Sequence, residues 1–119
     1  MKIIQETTGE EVYRIIPSDR LDTVTASALE SFLQAELQAG HTRLILDLSE
    51  VTYLSSSGLR AMLRARRQAQ AAGGDLVLAS MGPRVREIFE MIGFTDLFRV
   101  FDRTADALTA FARSKTDRG

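Results

Sequence analysis

The sequence predicts a single α/β domain in which helices cover a mixed central sheet of about four to five strands. Short apolar runs typical of buried strands alternate with longer stretches whose apolar residues recur every three or four positions. That alternation is typical of βαβ units with parallel strands at the centre and about four helices outside. With 119 residues the chain is long enough for one core but not two. We expect one domain over residues 1–119, with an ordered core of about 2–113.

The strand predictions come from short β-prone segments bounded by glycine, proline or polar residues. The first two segments are expected to pair as a hairpin around Gly9, and Pro17 is expected to end the second. Val51, Thr52, Tyr53 and Leu54 form a further β-prone stretch directly before a serine cluster. The other predicted strands are residues 1–8, 11–16, 42–48, 75–80 and 97–101.

Four helices are predicted, each with apolar residues on one face and a terminating glycine or capping residue. Gly40 and Gly93 are expected to end the first and third helices, and Pro83 suits the first position of the third. Asp22 or Thr23 is the expected N-cap of the first helix. Thr104 is the expected cap of the last. The predicted helices are residues 23–39, 57–72, 83–92 and a segment that starts near 104.

The serine cluster Ser55, Ser56 and Ser57 lies between a strand and a helix and has two interpretations. Serine is a preferred N-cap, so Ser56 or Ser57 could simply accept a hydrogen bond from the first N–H groups of the helix. Alternatively, one serine is phosphorylated, which adds about −1.5 to −2 charges at the positive end of a helix dipole. Such a phosphate could also meet Arg60, one turn further on.

The pattern Asp47-Leu48-Ser49-x-Val51-x-Tyr53-Leu54-Ser55-Ser56-Ser57-Gly58-Leu59 resembles the signature of STAS domains, in particular bacterial anti-anti-sigma factors. Family members carry D-S-S-G-L or S-S-A-G-L here, and Ser56 aligns with their regulatory phosphoserine. In the D-S-S-G-L form an acidic residue stands at the position of Ser55, so Ser55 and Ser57 are alternative sites in this chain. Further segments match in order and separation, namely Arg20-Leu21-Asp22, Gly73-Gly74 and Val85-x-x-Ile88-Phe89-x-x-x-Gly93-Phe94.

The resemblance implies a regulator that exchanges partners and performs no catalysis itself. Unphosphorylated, it would bind an anti-sigma factor that is also its serine kinase, of the histidine-kinase-like ATPase class. Phosphorylation of Ser56 would release it, and a metal-dependent serine phosphatase would reset it. By the same resemblance Asp22 lies near that serine and the partner surface. The expected partner-binding residues are Asp22, Ser55, Ser56, Ser57, Gly58, Arg60 and Arg64.

The alternative hypothesis keeps the fold without the switch. The same resemblance allows this, because STAS-like domains also occur as cytoplasmic accessory subunits of membrane transporters or as scaffolds in signalling complexes. In such a protein the serine cap would be purely structural.

Composition argues against several other classes of function. The net charge of −1 and one local arginine cluster do not indicate a nucleic-acid binder. No cysteine is present, and the single histidine, His41, is expected in a solvated loop without the geometry of a Ser-His pair, so no catalytic residue, cofactor or metal is predicted. Because no apolar run approaches ~20 residues and no signal peptide is evident, we expect a cytoplasmic protein without direct membrane insertion.

Overall fold

The computed structural model describes residues 2–9 and 11–118, so Met1 of the predicted first strand lies outside the described residues. Strands and helices alternate along most of the chain, as the sequence predicts. A 3₁₀ turn, Thr95–Leu97, precedes the last strand. In chain order the elements are β1 (Ile3–Gly9), β2 (Val12–Pro17), β3 (Asp19–Leu21), α1 (Thr23–Gln38), β4 (Arg43–Asp47), β5 (Val51–Leu54), α2 (Ser56–Ala71), β6 (Asp75–Ala79), α3 (Pro83–Ile92), β7 (Val100–Phe101) and α4 (Thr104–Arg118).

The main sheet is mixed and has five strands in the order β1-β2-β4-β6-β7. Strand β1 pairs antiparallel with β2, with Ile3 opposite Pro17, which confirms the predicted hairpin. The remaining pairs, β2 with β4, β4 with β6 and β6 with β7, are parallel. The predicted α/β class, with four helices and a mixed sheet, is therefore confirmed.

The core lies on both faces of this sheet. Leu44 and Leu46 of β4 point to the larger cluster, which also holds side chains from α1, α2 and α3. Ile45, between them, points to the opposite face, where Ala107 and Phe111 of α4 cover the sheet. Successive side chains of a strand face opposite sides, so a strand buried on both sides needs a continuous apolar run. This is why the sequence of β4 shows no alternation.

Two predictions near the end of the chain are corrected. The predicted strand over residues 97–101 is only Val100–Phe101, because the chain first makes the 3₁₀ turn and then buries Phe98, whose ring centroid lies 6.0 Å from that of Phe89. Thr104 is not the cap of α4 but its first residue. Its hydroxyl donates a hydrogen bond to a carboxylate of β4 instead.

That carboxylate, Asp47, is 1% exposed and joins four parts of the fold. Its Oδ2 accepts hydrogen bonds from Arg14 Nε at 2.9 Å, Arg14 Nη2 at 2.6 Å and Thr104 Oγ1 at 3.1 Å, while Oδ1 accepts from the N–H of Ser49 at 2.9 Å. Burial raises the pKa of Asp47, but the hydrogen bonds from Ser49 and the Arg14 ion pair outweigh it and hold the pKa below its usual value. Asp47 thus links β2, β4, the turn after β4 and α4.

We expect Asp47→Asn to lower the free energy of unfolding by about 2 kcal/mol at pH 7, because it leaves Arg14 without its anionic partner. Urea unfolding followed by circular dichroism measures this. Asp102→Asn is the control, since it removes an exposed ion pair with Arg86 and we expect a loss of under about 1 kcal/mol.

The pH dependence of this effect follows from the lowered pKa of Asp47. A carboxylate whose pKa is lower in the folded state stabilises the fold above its unfolded pKa of about 3.9 and loses that contribution as the pH falls through the folded pKa. The difference between the native chain and Asp47→Asn should therefore shrink below about pH 4. If the free energies of unfolding of the native chain and Asp47→Asn differ as much well below about pH 4 as at pH 7, the ionised Asp47 carboxylate is not the source of the difference.

Candidate functional site

The candidate site is formed where α1 and α2 begin side by side. Strands β3 and β5 form a separate two-stranded parallel sheet, in which Leu21 is opposite Leu54. The N–H of Ser55 continues this pairing by donating to the carbonyl of Leu21 at 2.8 Å. Each strand leads directly into a helix, so parallel pairing brings both helix N-termini to the same edge.

A glycine allows the close approach of α2 to β3. Gly58 is buried in the first turn of α2, and a Cβ atom there would lie 3.2 Å from the carbonyl oxygen of Leu21 and 3.3 Å from its Cβ. Both distances are tighter than ordinary van der Waals contact. Gly58, one of the predicted partner-binding residues, allows this packing and presents no side chain.

Asp22 is the N-cap of α1, as predicted, and Thr23 is the first helical residue. The Oδ1 atom of Asp22 accepts from the N–H groups of Val24 and Thr25, both at 3.1 Å, and Thr25 Oγ1 accepts from the N–H of Asp22 at 2.9 Å. The backbone hydrogen bond from Thr25 is the largest influence on the pKa of Asp22, which lies below its usual value. A negative charge is thus held at the start of α1.

Ser55 is the N-cap of α2, so the prediction of Ser56 or Ser57 as the cap is wrong. Its backbone is extended, with φ −104 and ψ 165, and its Oγ accepts from the N–H of Gly58 at 3.1 Å. The reason is the hydrogen bond from Ser55 to Leu21, which keeps the backbone of Ser55 extended and lets the helix begin at the next residue.

The three serine hydroxyls therefore have different surroundings. Ser55 is half-buried and caps the helix. Ser57 is also half-buried, and its Oγ lies 3.5 Å from both Thr23 Oγ1 and Arg60 Nη2. Ser56, the first residue of α2, is exposed, and within the described residues its side chain makes no hydrogen bond.

The arginines near the serines also differ in their partners. Arg64 donates to Glu30 of α1, an interaction that lowers the pKa of Glu30 and raises that of Arg64. Arg20 stacks on the ring of Tyr53, with Cζ 4.3 Å from the ring centroid. Arg60 is exposed, and its side chain makes one hydrogen bond within the described part of the chain, to the Ser57 hydroxyl. The predicted partner residues are thus near one another at the helix starts, except that Arg64 lies one turn further along α2.

An exposed residue that the sequence does not predict, Val24, also lies at the start of α1. Val24 is 82% exposed in the first turn of α1, next to Thr23, and is the most exposed large hydrophobic residue in the described part of the chain. The available signal is its spacing, since Val24 lies five positions before buried Leu29 and therefore off the apolar face of α1. We define the helix-start surface as Asp22, Thr23, Val24, Ser55, Ser56, Ser57 and Arg60.

His41 lies at the other end of these helices. Helices α1 and α2 run side by side, with contacts between Thr23 and Ser57 at their starts and between Gln34 and Gln68 further along. A 16-residue helix is about 24 Å long, and His41 follows α1. Its ring stacks on Tyr13 at 3.8 Å and bonds to Glu36. His41 therefore lies in the loop before β4, as predicted, but it is half-buried rather than solvated.

In the residues that the structure describes, no three side chains of the metal-binding types His, Cys, Asp and Glu come together as a metal site. None of the described helices is long and apolar enough to span a bilayer.

Comparison with known proteins places this arrangement in a family. The sequence profile of the STAS domain matches residues 3–107. A relative described as an anti-sigma factor antagonist, BtrV of Bordetella bronchiseptica, is 38% identical over 91 residues, which cover 76% of this chain and 78% of BtrV.

Solved structures agree with the profile. An anti-sigma factor antagonist from Mycobacterium paratuberculosis superposes with a TM-score of 0.80 at 28% identity over 92% of each chain. The anti-sigma factor antagonist SpoIIAA in its unphosphorylated form superposes with a TM-score of 0.69 over 94% of this chain and 98% of SpoIIAA, at 20% identity, which shows the fold alone. The resemblance indicated by the serine motif is confirmed, and the chain belongs to the STAS domain family.

Proposed function

We propose that this protein is an anti-sigma factor antagonist that works by partner switching, with Ser56 as its phosphorylation site. The proposal is supported by its family and by relatives named anti-sigma factor antagonists. The observation that carries the choice of residue is the different surroundings of the three hydroxyls. Only Ser56 is both exposed and free of hydrogen bonds within the described residues.

Phosphorylation of Ser56 needs no rearrangement of the fold, because its side chain already points into solvent. Modification of Ser55 would remove the side-chain cap of α2, and modification of Ser57 would crowd Thr23. The first turn of α2 contains no acidic residue, so a phosphate there lies at the positive end of the helix dipole without a carboxylate in that turn to repel it.

The partner surface comprises the helix-start surface and Arg64. Val24, next to Thr23 in the first turn of α1, supplies an exposed apolar group, and such mixtures of apolar and polar groups are typical of protein interfaces. A phosphate dianion buried unpaired in that interface costs several kcal/mol, enough to change occupancy by orders of magnitude. One modification can therefore release the partner without a change of fold.

The partners in this proposal are an anti-sigma factor that is also a serine kinase of the histidine-kinase-like ATPase class and a metal-dependent serine phosphatase. The nucleotide and the metal belong to those proteins. The switch operates in the cytoplasm, and this chain performs no catalysis.

The proposal is tested with the kinase of this class encoded in the same genome, by calorimetry with purified proteins. We expect Ser56→Asp to bind it at least about 10-fold more weakly, which corresponds to about 1.4 kcal/mol. Ser56→Ala should bind as the native chain does and should stay bound when ATP is added, whereas the native chain should be phosphorylated and released. Ser57→Ala is the matched control, and addition of ATP should still release it from the kinase.

Equal binding by Ser56→Ala and Ser56→Asp, together with no phosphate transfer, would contradict the switch. That result would favour the alternative function, a STAS accessory subunit or scaffold of a transporter or signalling complex.

We expect Val24→Gln to weaken partner binding about 10-fold while the free energy of unfolding changes by under about 0.5 kcal/mol, because the side chain is already solvated. Met91→Gln is the matched control, since Met91 of α3 is 72% exposed and lies outside the helix-start surface. Parallel titrations and thermal melts check both. An unchanged affinity for Val24→Gln would exclude Val24 from the interface.

A further inference from the structure

The side chain of Arg60 folds back toward the start of its own helix. Arg60 lies four positions after Ser56, so the two residues share a face of α2. Its Nη2 donates to Ser57 Oγ at 3.5 Å, which places the guanidinium beside the first turn. Side chains in helices lean toward the N-terminus, and this direction brings a long arginine within reach of Ser56.

The other cations near this face are already engaged. Arg64 is paired with Glu30, and Arg20 stacks on Tyr53 with its Nε 3.9 Å from Asp22 Oδ2. For Arg60, no carboxylate of the described residues lies within ion-pair distance, and its single contact is a long one to a neutral hydroxyl. Turning Arg60 toward a phosphate therefore breaks weaker interactions than turning Arg20 or Arg64 would.

We propose that Arg60 is the intramolecular partner of phospho-Ser56. This inference rests on the proposed function, because it describes how the same site holds its phosphate. A guanidinium presents two parallel N–H groups that match the oxygens of a phosphate, and the exchange requires only that Arg60 leave Ser57.

The consequence is a switch that changes the surface in two ways. In the unphosphorylated protein, Arg60 is available to an acidic group on a partner. In the phosphorylated protein, the phosphate adds negative charge and also withdraws the one uncommitted cation of the helix-start surface. The change in electrostatic complementarity is then larger than the phosphate alone would produce.

The test uses the full chain with phosphoserine installed at position 56 during translation, so that no natural kinase is needed. Phosphorus NMR at low ionic strength follows the second ionisation of the phosphate, whose ordinary pKa is about 6. We expect Arg60→Gln to raise this pKa by about 0.3–0.7 units, because the cation favours the dianion. High salt should reduce the difference.

Arg64→Gln is the matched control, since it removes a cation from the same helix that is committed to Glu30, and it should leave the titration unchanged. Arg60→Lys keeps the charge without the paired N–H groups and should give an intermediate pKa. If circular dichroism shows that Arg60→Gln does not fold, the phosphate pKa of Arg60→Lys tests the proposal instead. The proposal would be overturned if the phosphate pKa of the Arg60 variants equals that of the native phosphoprotein.

The two proposals fail separately. Unchanged phosphate titration overturns the role of Arg60 and leaves phosphorylation of Ser56 standing. Absence of phosphate transfer to the native chain overturns the switch. The effect of Arg60 on the phosphate pKa still stands, because it is measured with phosphoserine installed during translation.

Discussion

The parallel pairing of β3 with β5 is the constraint on which the site depends. These strands contain only three and four residues, yet their register fixes where two 16-residue helices begin. The hydrogen bond from Ser55 to Leu21 extends the pairing by one residue, and the missing side chain of Gly58 lets α2 approach β3. Loss of either contact would move Ser56 relative to Asp22 and Val24 without touching the main sheet.

The two adjacent helix starts differ in charge. Each helix N-terminus carries the equivalent of roughly half a positive charge. At α1 the carboxylate of Asp22 compensates that charge, and its lowered pKa keeps it ionised. At α2 the cap is the neutral Ser55, and the first turn has no acidic residue. An added dianion is therefore accommodated better at the start of α2, where Ser56 is exposed, than at the start of α1, where Thr23 occupies the equivalent first position.

Much of the fold could be predicted from the sequence because its strongest signals are local. The buried run of β4, the apolar periodicity of α1 and α3, and the stops at Gly40 and Gly93 depend on neighbouring residues and were placed within two positions. Strand β3 was missed because three residues with two charged side chains give no strand signal, and its partner is far along the chain. That omission shifted the predicted cap from Ser55. The burial of Asp47 depends on tertiary contacts with Arg14 and Thr104 that no local pattern reveals.

Phosphopeptide mapping of the protein isolated from its own cells tests the central claim most directly. Trypsin cleavage after Arg43 and Arg60 releases residues 44–60 as one peptide that contains all three candidate serines. We expect fragmentation to place phosphate on Ser56, with Ser55 and Ser57 unmodified, because only the Ser56 hydroxyl is exposed and unengaged. Phosphate on Ser55 or Ser57 with Ser56 unmodified, or no phosphate under any growth condition, would contradict the account.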